Sequence, residues 1–302
     1  MVDRLARFGL RLATAAILAF IYLPIGLIFV YAFNAGTTPS WPPVGFTVAW
    51  FGEALRNTGL QQAFATSVVA AILATAIALV LGTLAAIAVA RYRFFGREAV
   101  SFVVIVPIAL PGIVTGMALS TTFAQVGVPL GFFTIVIGHA TFCIVLVYNN
   151  ALARLRRTSR SLEEASADLG ADSWTTFRRV TLPAMRSAIL AGGLLAFALS
   201  FDEVIVTIFT AGGVKTLPIW IFESFRLANQ VPLVNVAGVV AILLSVLPRL
   251  PDHRRHRRDH RGTRLTPGLG PHLSHRAAEP GPALIRAART SASQPRERGP
   301  RP

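Results

Sequence analysis

The chain has 302 residues, of which 53% are hydrophobic and only 14% are charged. Because soluble domains carry about 25% charged residues, this composition excludes an ordinary soluble enzyme and indicates a protein with several membrane spans. The formal net charge of +15 is uneven, since residues 249–302 alone hold 13 arginines and four acidic residues. That stretch lacks the aromatic residues and the periodicity of a nucleic-acid-binding surface, so we expect no nucleic-acid partner.

The first apolar run, residues 10–33, is long enough to cross a bilayer. Three arginines precede it, as in a signal peptide. The run is too long for a signal peptide, however, and no small-residue cleavage site follows, so we expect an uncleaved first span. A loop is predicted over residues 34–62, with one amphipathic helix around 50–55. Trp41 and Trp50 are expected to anchor this loop at the outer membrane interface.

The second span is predicted at residues 63–90 and ends at a basic hinge over 91–97. The third, residues 99–123, contains Pro107 and Pro111, which neighbouring helices of a membrane bundle can accommodate. Within it, Gly112 and Gly116 have the four-residue spacing that permits close approach of a second helix.

A turn at residues 127–129 leads to the fourth predicted span, 130–152, and the fifth covers 184–209. A loop with one short helix, over 219–227, precedes the sixth apolar run at 231–247. This last run is shorter than a full span, which leaves membrane insertion of the C-terminal end open.

Residues 249–302 are rich in arginine, histidine and proline, and such a composition cannot bury a core. We therefore expect a membrane domain over 1–248 followed by a disordered basic tail. The abrupt change in composition suggests that the tail is an out-of-frame readthrough of a GC-rich gene. A genuine tail that contacts anionic lipid is the alternative.

A polar segment over residues 153–183 separates the fourth and fifth spans. Ser161 and Glu164 have capping-box spacing, which predicts a helix that starts there, and Gly170 can supply the left-handed residue that ends it. Asp172 or Ser173 can cap a second short helix, which Pro183 cannot continue. The pattern predicts a compact two-helix knob whose apolar contacts are Leu169, Trp174 and Phe177.

The distribution of arginine predicts the orientation of the spans, because cytoplasmic loops carry more basic residues. A cytoplasmic N-terminus leaves only Arg56, Lys215 and Arg226 outside. Thirteen arginines then lie inside, namely Arg4, Arg7, Arg11, Arg91, Arg93, Arg97, Arg154, Arg156, Arg157, Arg160, Arg178, Arg179 and Arg186. This orientation also places the 153–183 segment in the cytoplasm.

The segment resembles the "EAA" loop of binding-protein-dependent ABC importer permeases. It reads Glu164-Ala165-Ser166, then Gly170, then nine residues, then Val180-Thr181-Leu182-Pro183. Ser166 and Val180 replace the alanine and isoleucine usual in that family. Other stretches, which together cover roughly residues 10–248, resemble permeases of polyamine (spermidine/putrescine-type) importers: Tyr22-Leu23-Pro24, Phe33-Asn34, Arg91-Tyr92-Arg93-Phe94, His139-Ala140-Thr141-Phe142-Cys143, Leu199-Ser200-Phe201-Asp202-Glu203-Val204, Thr216-Leu217-Pro218 and Val234-Asn235.

The resemblance implies an all-α membrane protein of about six spans with a cytoplasmic coupling loop, the type I ABC importer permease architecture. It implies a multi-pass protein of the bacterial inner membrane that works with a second permease subunit, an ATPase dimer and an extracytoplasmic solute-binding protein. ATP and Mg²⁺ would be bound by the ATPase, and this chain would bind no cofactor. The docking residues would be Glu164, Ala165, Leu169, Gly170, Trp174, Phe177, Leu182 and Pro183.

Asp202 and Glu203 are the candidate substrate-path residues, because intramembrane carboxylates are costly and can attract an ammonium cargo. Snorkelling to the interface or a bond between helices would explain them equally well, above all for Glu203. His139 is expected to be a buried, hydrogen-bonded residue, with a ligand or proton-relay role as the alternative. The arginines at 154–160 either pair with acidic ATPase residues or only set topology.

An enzymatic function has little support in the sequence. The segment 212–216 lacks the glycine spacing of a phosphate-binding loop, no Gly-x-Ser-x-Gly elbow occurs, and no pair of histidines suits a metal. Cys143, the single cysteine, excludes an internal disulfide. We therefore expect an importer of a small cationic solute with no catalytic or metal site. The alternatives are an ion-coupled secondary transporter, an importer of thiamine, iron or phosphonate, and an assembly scaffold.

Overall fold

The computed structural model describes residues 2–246, and the predicted tail at 249–302 lies outside the described residues. The described residues form helices joined by loops, with one isolated β-bridge between Asn34 and Phe46. The α-helices are α1 (Val2–Ala32), α2 (Ala49–Ala54), α3 (Thr58–Arg91), α4 (Arg97–Ala109), α5 (Gly112–Gln125), α6 (Phe132–Arg157), α7 (Ser161–Asp168), α8 (Ser173–Thr176), α9 (Leu182–Phe201), α10 (Ile205–Thr210), α11 (Leu217–Ser224) and α12 (Val231–Val246).

Four of the described helices are long and apolar enough to cross a membrane. They correspond to the first, second, fourth and fifth predicted spans and cover Ala6–Ala32, Thr58–Arg91, Phe132–Arg157 and Ser173–Phe201. The sixth run forms α12, whose 16 described residues are fewer than the 20 or so that a span requires. It packs beside α1, where Gly238 approaches Ile28.

The third predicted span is sharply bent in the structure. Helices α4 and α5 meet at an angle of 108° and together form a bent pair. Leu110 is extended, with ψ at 146°, because the ring of Pro111 disfavours helical geometry in the residue before it. Pro107 remains inside α4, so only the second proline breaks the span.

The fifth predicted span is also interrupted. Helix α9 ends at Phe201, and α10 begins only at Ile205, so Asp202, Glu203 and Val204 form a non-helical break. The region predicted as helix 184–209 is therefore two helices. Non-helical backbone at membrane depth is tolerated where protein or a cavity surrounds it.

The centre of the bundle is the close contact of α3 with α6 and α9. The α3 surface in this contact consists mainly of small residues, and Ala74, Ala78 and Ala86 are fully buried. A β-carbon on Gly82 would lie 2.9 Å from the carbonyl oxygen of Ile144 on α6. Since apolar burial does not drive association in lipid, close packing of this kind holds the helices together.

Gly112 and Gly116 lie where the predicted close approach occurs, which confirms that interpretation. A β-carbon on Gly112 would lie 3.3 Å from a methyl group of Ile205, and one on Gly116 would lie 2.7 Å from the ring of Phe209. The two glycines therefore seat α10, the helix beyond the break, against α5.

The loop after α1 is organised by the buried Asn34. Its side-chain oxygen accepts hydrogen bonds from the backbone of Gly36 and Val44, at 3.3 and 3.2 Å. Its backbone carbonyl accepts a hydrogen bond from the indole N–H of Trp50 at 2.9 Å, so the indole of Trp50 is bound within the protein. Trp41 is 73% exposed and remains available as an interface anchor.

Candidate functional site

The polar segment between the fourth and fifth spans folds into the predicted pair of helices around Gly170. Gly170 has a φ of +82°, a left-handed conformation that glycine adopts without steric cost. Its N–H bonds the carbonyl of Ala167 at 2.8 Å, and Ala171 bonds back to Ser166 at 3.1 Å. These bonds close the last turn of α7, as predicted. We call α7, Gly170 and α8 the knob.

Asp172 caps α8, also as predicted, because its carboxylate accepts the backbone N–H of Thr175 at 3.2 Å. Hydrogen bonds from Thr175 hold the pKa of Asp172 below its usual value, so the cap stays ionised at neutral pH. The predicted capping box at Ser161 was wrong. The residue before α7 is Arg160, which is itself helical and makes no side-chain cap, and the N–H of Ser161 bonds the Ser159 hydroxyl at 3.2 Å.

The expectation that Pro183 ends the second helix was also wrong. A π-helical segment, Phe177–Thr181, joins α8 to α9, and the span runs through from Ser173 to Phe201. The N–H of Leu182 bonds the carbonyl of Phe177, five residues back. Pro183 then falls in the first turn of α9, directly after the π-helical segment, and the helix continues past it.

The proposed docking residues lie on the outside of the knob and at its junction with α9. Leu169 is 89% and Trp174 is 64% exposed. Trp174 packs against Phe177, with 5.6 Å between the ring centroids. The remaining members are all exposed: Glu164, Ala165, Gly170, Leu182 and Pro183. Their contact with an ATPase stays a prediction.

Glu163, which the sequence did not single out, connects the knob to the membrane domain. Its Oε1 lies 3.0 Å from Nε of Arg91, the last residue of α3, and accepts the hydroxyl of Thr181 at 3.1 Å. The resemblance selected Glu164 for docking and assigned no role to Glu163. The turn of α7 directs Glu163 towards the bundle and leaves Glu164 exposed.

Two of the arginines predicted to pair with an ATPase bind backbone carbonyls of this chain. Arg160 donates from Nη2 to the carbonyl of Arg91 at 2.7 Å, and Arg154 donates from Nε to Ala184 at 2.9 Å. Both residues are exposed. These bonds tie the flanks of the knob to the ends of α3 and α9.

The two candidate substrate-path carboxylates differ in their surroundings. Glu203 accepts the backbone N–H of Val206 at 2.9 Å and so caps the start of α10. Asp202 is exposed, and no hydrogen bond or ion pair between described residues holds its carboxylate. Asp202 lines a cavity of about 370 Å³ together with Phe201, Phe222, Phe225 and Arg226. The arrangement leaves Asp202, but not Glu203, available to a ligand.

His139 is buried, and both of its ring nitrogens have partners. Nδ1 lies 2.8 Å from the Ser200 hydroxyl, and Nε2 lies 2.8 Å from the Thr207 hydroxyl. Thr207 donates its own proton to the carbonyl of Glu203 at 2.7 Å. Nε2 therefore donates to Thr207, and in a neutral ring Nδ1 accepts from Ser200, so both ring nitrogens are satisfied. The expectation of a hydrogen-bonded core residue is confirmed.

Solved structures of known transporters share this fold. The chain matches a bacterial ABC transporter that imports the acidic polysaccharide alginate, with a TM-score of 0.65 and 18% identity over 82% of this chain and 94% of that one. The MetNI methionine ABC transporter matches with a TM-score of 0.52 and 17% identity over 68% and 94% of the two chains. The fold is that of type I ABC importer permeases.

The chain belongs to the family described as "Binding-protein-dependent transport system inner membrane component", whose model matches residues 78–250. It is 34% identical to the spermidine/putrescine transport system permease protein PotC of Escherichia coli K12, over 82% of this chain and 92% of the relative. PotC of Haemophilus influenzae is 35% identical over 80% and 94%. The putrescine permease PotI of E. coli K12 is 35% identical over 74% and 82%. This chain is a permease subunit of an ABC importer and a multi-pass inner-membrane protein.

Proposed function

We propose that this permease passes a polyamine of the spermidine and putrescine class into the cytoplasm, with ATP hydrolysed by a partner subunit. The observation that carries the proposal is Asp202, whose carboxylate has no partner among the described residues and lines an open cavity. The named function of the polyamine permease relatives supports the same cargo.

The chemistry of the cavity suits an alkylammonium ion. Phe222 and Phe225 are exposed at its wall, and aromatic faces attract cations. The guanidinium carbon of Arg226 lies 5.0 Å from the centroid of Phe222, which shows that this ring contacts a cation, and the exposed Phe225 offers a second ring to a ligand. One carboxylate beside several aromatic rings can bind the charged end of a diamine and leave its methylene chain against apolar side chains.

The exposed knob supports an ATPase partner on the cytoplasmic side. Leu169 and Trp174 are large apolar residues exposed on the knob, and exposed apolar patches mark interaction sites. The arginine distribution favours a cytoplasmic N-terminus, which places the knob on that side. We infer an assembly with a second permease subunit, an ATPase dimer and a solute-binding protein. ATP shifts this assembly between states only as far as it binds one state better than the other.

Uptake by the whole assembly in proteoliposomes tests the proposal. Putrescine uptake should stop when ATP is withdrawn while a proton gradient is maintained. Uptake that continues on the gradient alone would identify an ion-coupled secondary transporter. Competition by spermidine, but not by thiamine, iron or a phosphonate, should identify the cargo class.

Co-purification tests the docking surface. Replacement of Glu164 and Gly170 together, each by alanine, should release the ATPase subunit. Gly96 and Glu98 provide a matched control, because they are also a left-handed glycine and an exposed glutamate near the predicted cytoplasmic side. Retention of the ATPase by the first pair, or its loss with the control pair, would contradict the assignment.

A further inference from the structure

We propose that Glu163 is the positioning residue through which movement of the knob reaches the membrane spans. The inference rests on the proposed docking of an ATPase at the knob. It assigns the transmission of that movement from α7 to α3 to a carboxylate that faces the bundle, distinct from the exposed Glu164 of the docking surface.

The Glu163 carboxylate connects three elements at one atom. Glu163 lies on α7, and its Oε1 accepts two hydrogen bonds. One comes from Nε of Arg91 at the end of α3, at 3.0 Å, and the other from the hydroxyl of Thr181 in the π-helical segment before α9, at 3.1 Å. Any displacement of α7 along its own axis therefore acts on α3 and on the start of α9 together.

The Arg91 end of this connection is itself held in place. Nη1 of Arg91 lies 3.5 Å from the carbonyl of Leu155 at the end of α6, and Arg160 donates to the Arg91 carbonyl at 2.7 Å. The side chains of Arg91 and Glu163 are only 12% and 20% exposed. Partial burial reduces screening by water and salt, so the pair resists separation more than a surface ion pair does.

The elements joined by Glu163 are those that form the centre of the bundle. Helix α3 makes the close contact with α6 at Gly82, and α9 packs on α3 where Gly193 approaches Leu79. Helix α9 also leads directly to the break that carries Asp202. A movement of the knob thus has a continuous, packed route from the cytoplasmic surface to the candidate substrate cavity.

The continuous helix that joins α8 to α9 carries movement of the knob into the fifth span alone, whereas Glu163 also reaches α3. The Ser166–Thr176 hydrogen bond, at 3.0 Å, stays between the two knob helices, and the Asp172 bond stays within α8 and its cap. Among the described residues, Glu163 makes the side-chain hydrogen bonds that lead from α7 to a span.

The test measures ATP hydrolysis and putrescine uptake in the same proteoliposomes that hold the whole assembly. Glu163→Ala removes the acceptor of both hydrogen bonds and should retain the ATPase subunit and its hydrolysis but lower the uptake per ATP about tenfold, the usual size of a coupling between sites. Thr181→Val should produce a smaller loss. The double variant Arg91→Glu with Glu163→Arg should recover much of the uptake per ATP that either single change loses, because it restores the ion pair with the two charges exchanged.

Glu98→Ala supplies the control, because it removes a carboxylate near the predicted cytoplasmic side that is exposed, and it should leave uptake per ATP unchanged. An unchanged ratio in Glu163→Ala would overturn the proposal. Loss of the ATPase from the Glu163→Ala assembly, with retention by the unaltered chain, would also overturn it and make Glu163 a docking residue. Failure of the unaltered chain to retain an ATPase would instead refute the proposed function. Equal thermal unfolding of the variants in detergent excludes misfolding.

Discussion

His139 on α6 lies 2.8 Å from the hydroxyl of Thr207 on α10. The opposite nitrogen of the same ring lies 2.8 Å from Ser200 at the end of α9. One imidazole therefore bridges the two sides of the break in the fifth span. Because the break carries Asp202, the position of that carboxylate depends on a residue in a different helix.

Replacement of His139 by leucine should destabilise the protein. The Ser200 hydroxyl would be left without its partner in a buried site, and an unsatisfied buried hydroxyl costs about 1–3 kcal/mol. Thermal unfolding in detergent, followed by size-exclusion chromatography, measures the change. Thr207→Ser keeps the hydroxyl and is the control, and equal unfolding temperatures for the wild type and His139→Leu would contradict the prediction.

Replacement of Gly82 by alanine should also destabilise the bundle. The new methyl group would lie 2.9 Å from the carbonyl oxygen of Ile144, a backbone atom that cannot rotate away. Overpacking of this kind costs about 1–3 kcal/mol. Gly26→Ala is a matched control in another span, because nothing lies within 4 Å of its β-carbon position. Gly26→Ala should therefore match the wild type or slightly exceed it in thermal unfolding.

Gly170→Ala should weaken retention of the ATPase, whereas Gly170→Asn should weaken it less. Within residues 2–246, no atom lies within 4 Å of a β-carbon at this position, so the effect arises from the φ of +82°. The left-handed conformation costs alanine about 1–2 kcal/mol, and asparagine adopts it more readily. Co-purification of the ATPase after salt washes ranks the wild type, Gly170→Asn and Gly170→Ala by the amount of ATPase that each retains. Equal retention by both variants and the wild type would show that the left-handed turn is dispensable.

Asp202→Asn should raise the KM for putrescine about tenfold, the loss expected when a charged hydrogen bond to an ammonium ion disappears. Uptake of a neutral solute by the same assembly should fall less. Glu203→Gln is the adjacent control, because glutamine can still accept the N–H of Val206 and so keep the cap of α10. An equal loss for charged and neutral solutes would point to misfolding rather than to a lost cation contact.

Features that depend on a few neighbouring residues could be predicted from the sequence. Gly170 adopts the expected left-handed conformation, and Asp172 caps α8. Gly112 and Gly116, four residues apart, make the expected close contact with a second helix. The two span breaks could not be predicted in the same way. Pro111 breaks a span while Pro107 does not, and Asp202 follows an apolar run that has no proline or glycine at the break.

The sequence by itself determined that this protein crosses a membrane several times and presents a two-helix knob between two spans. The length of an apolar run, its hydropathy and the backbone preference of a turn depend only on nearby residues, so they can be predicted from the amino-acid sequence. Only the tertiary structure decided that Glu163 rather than Glu164 faces the bundle and that His139 joins both sides of the break at Asp202. Those partners are up to 72 residues apart, and packing of the helices, which no local pattern encodes, brings them together.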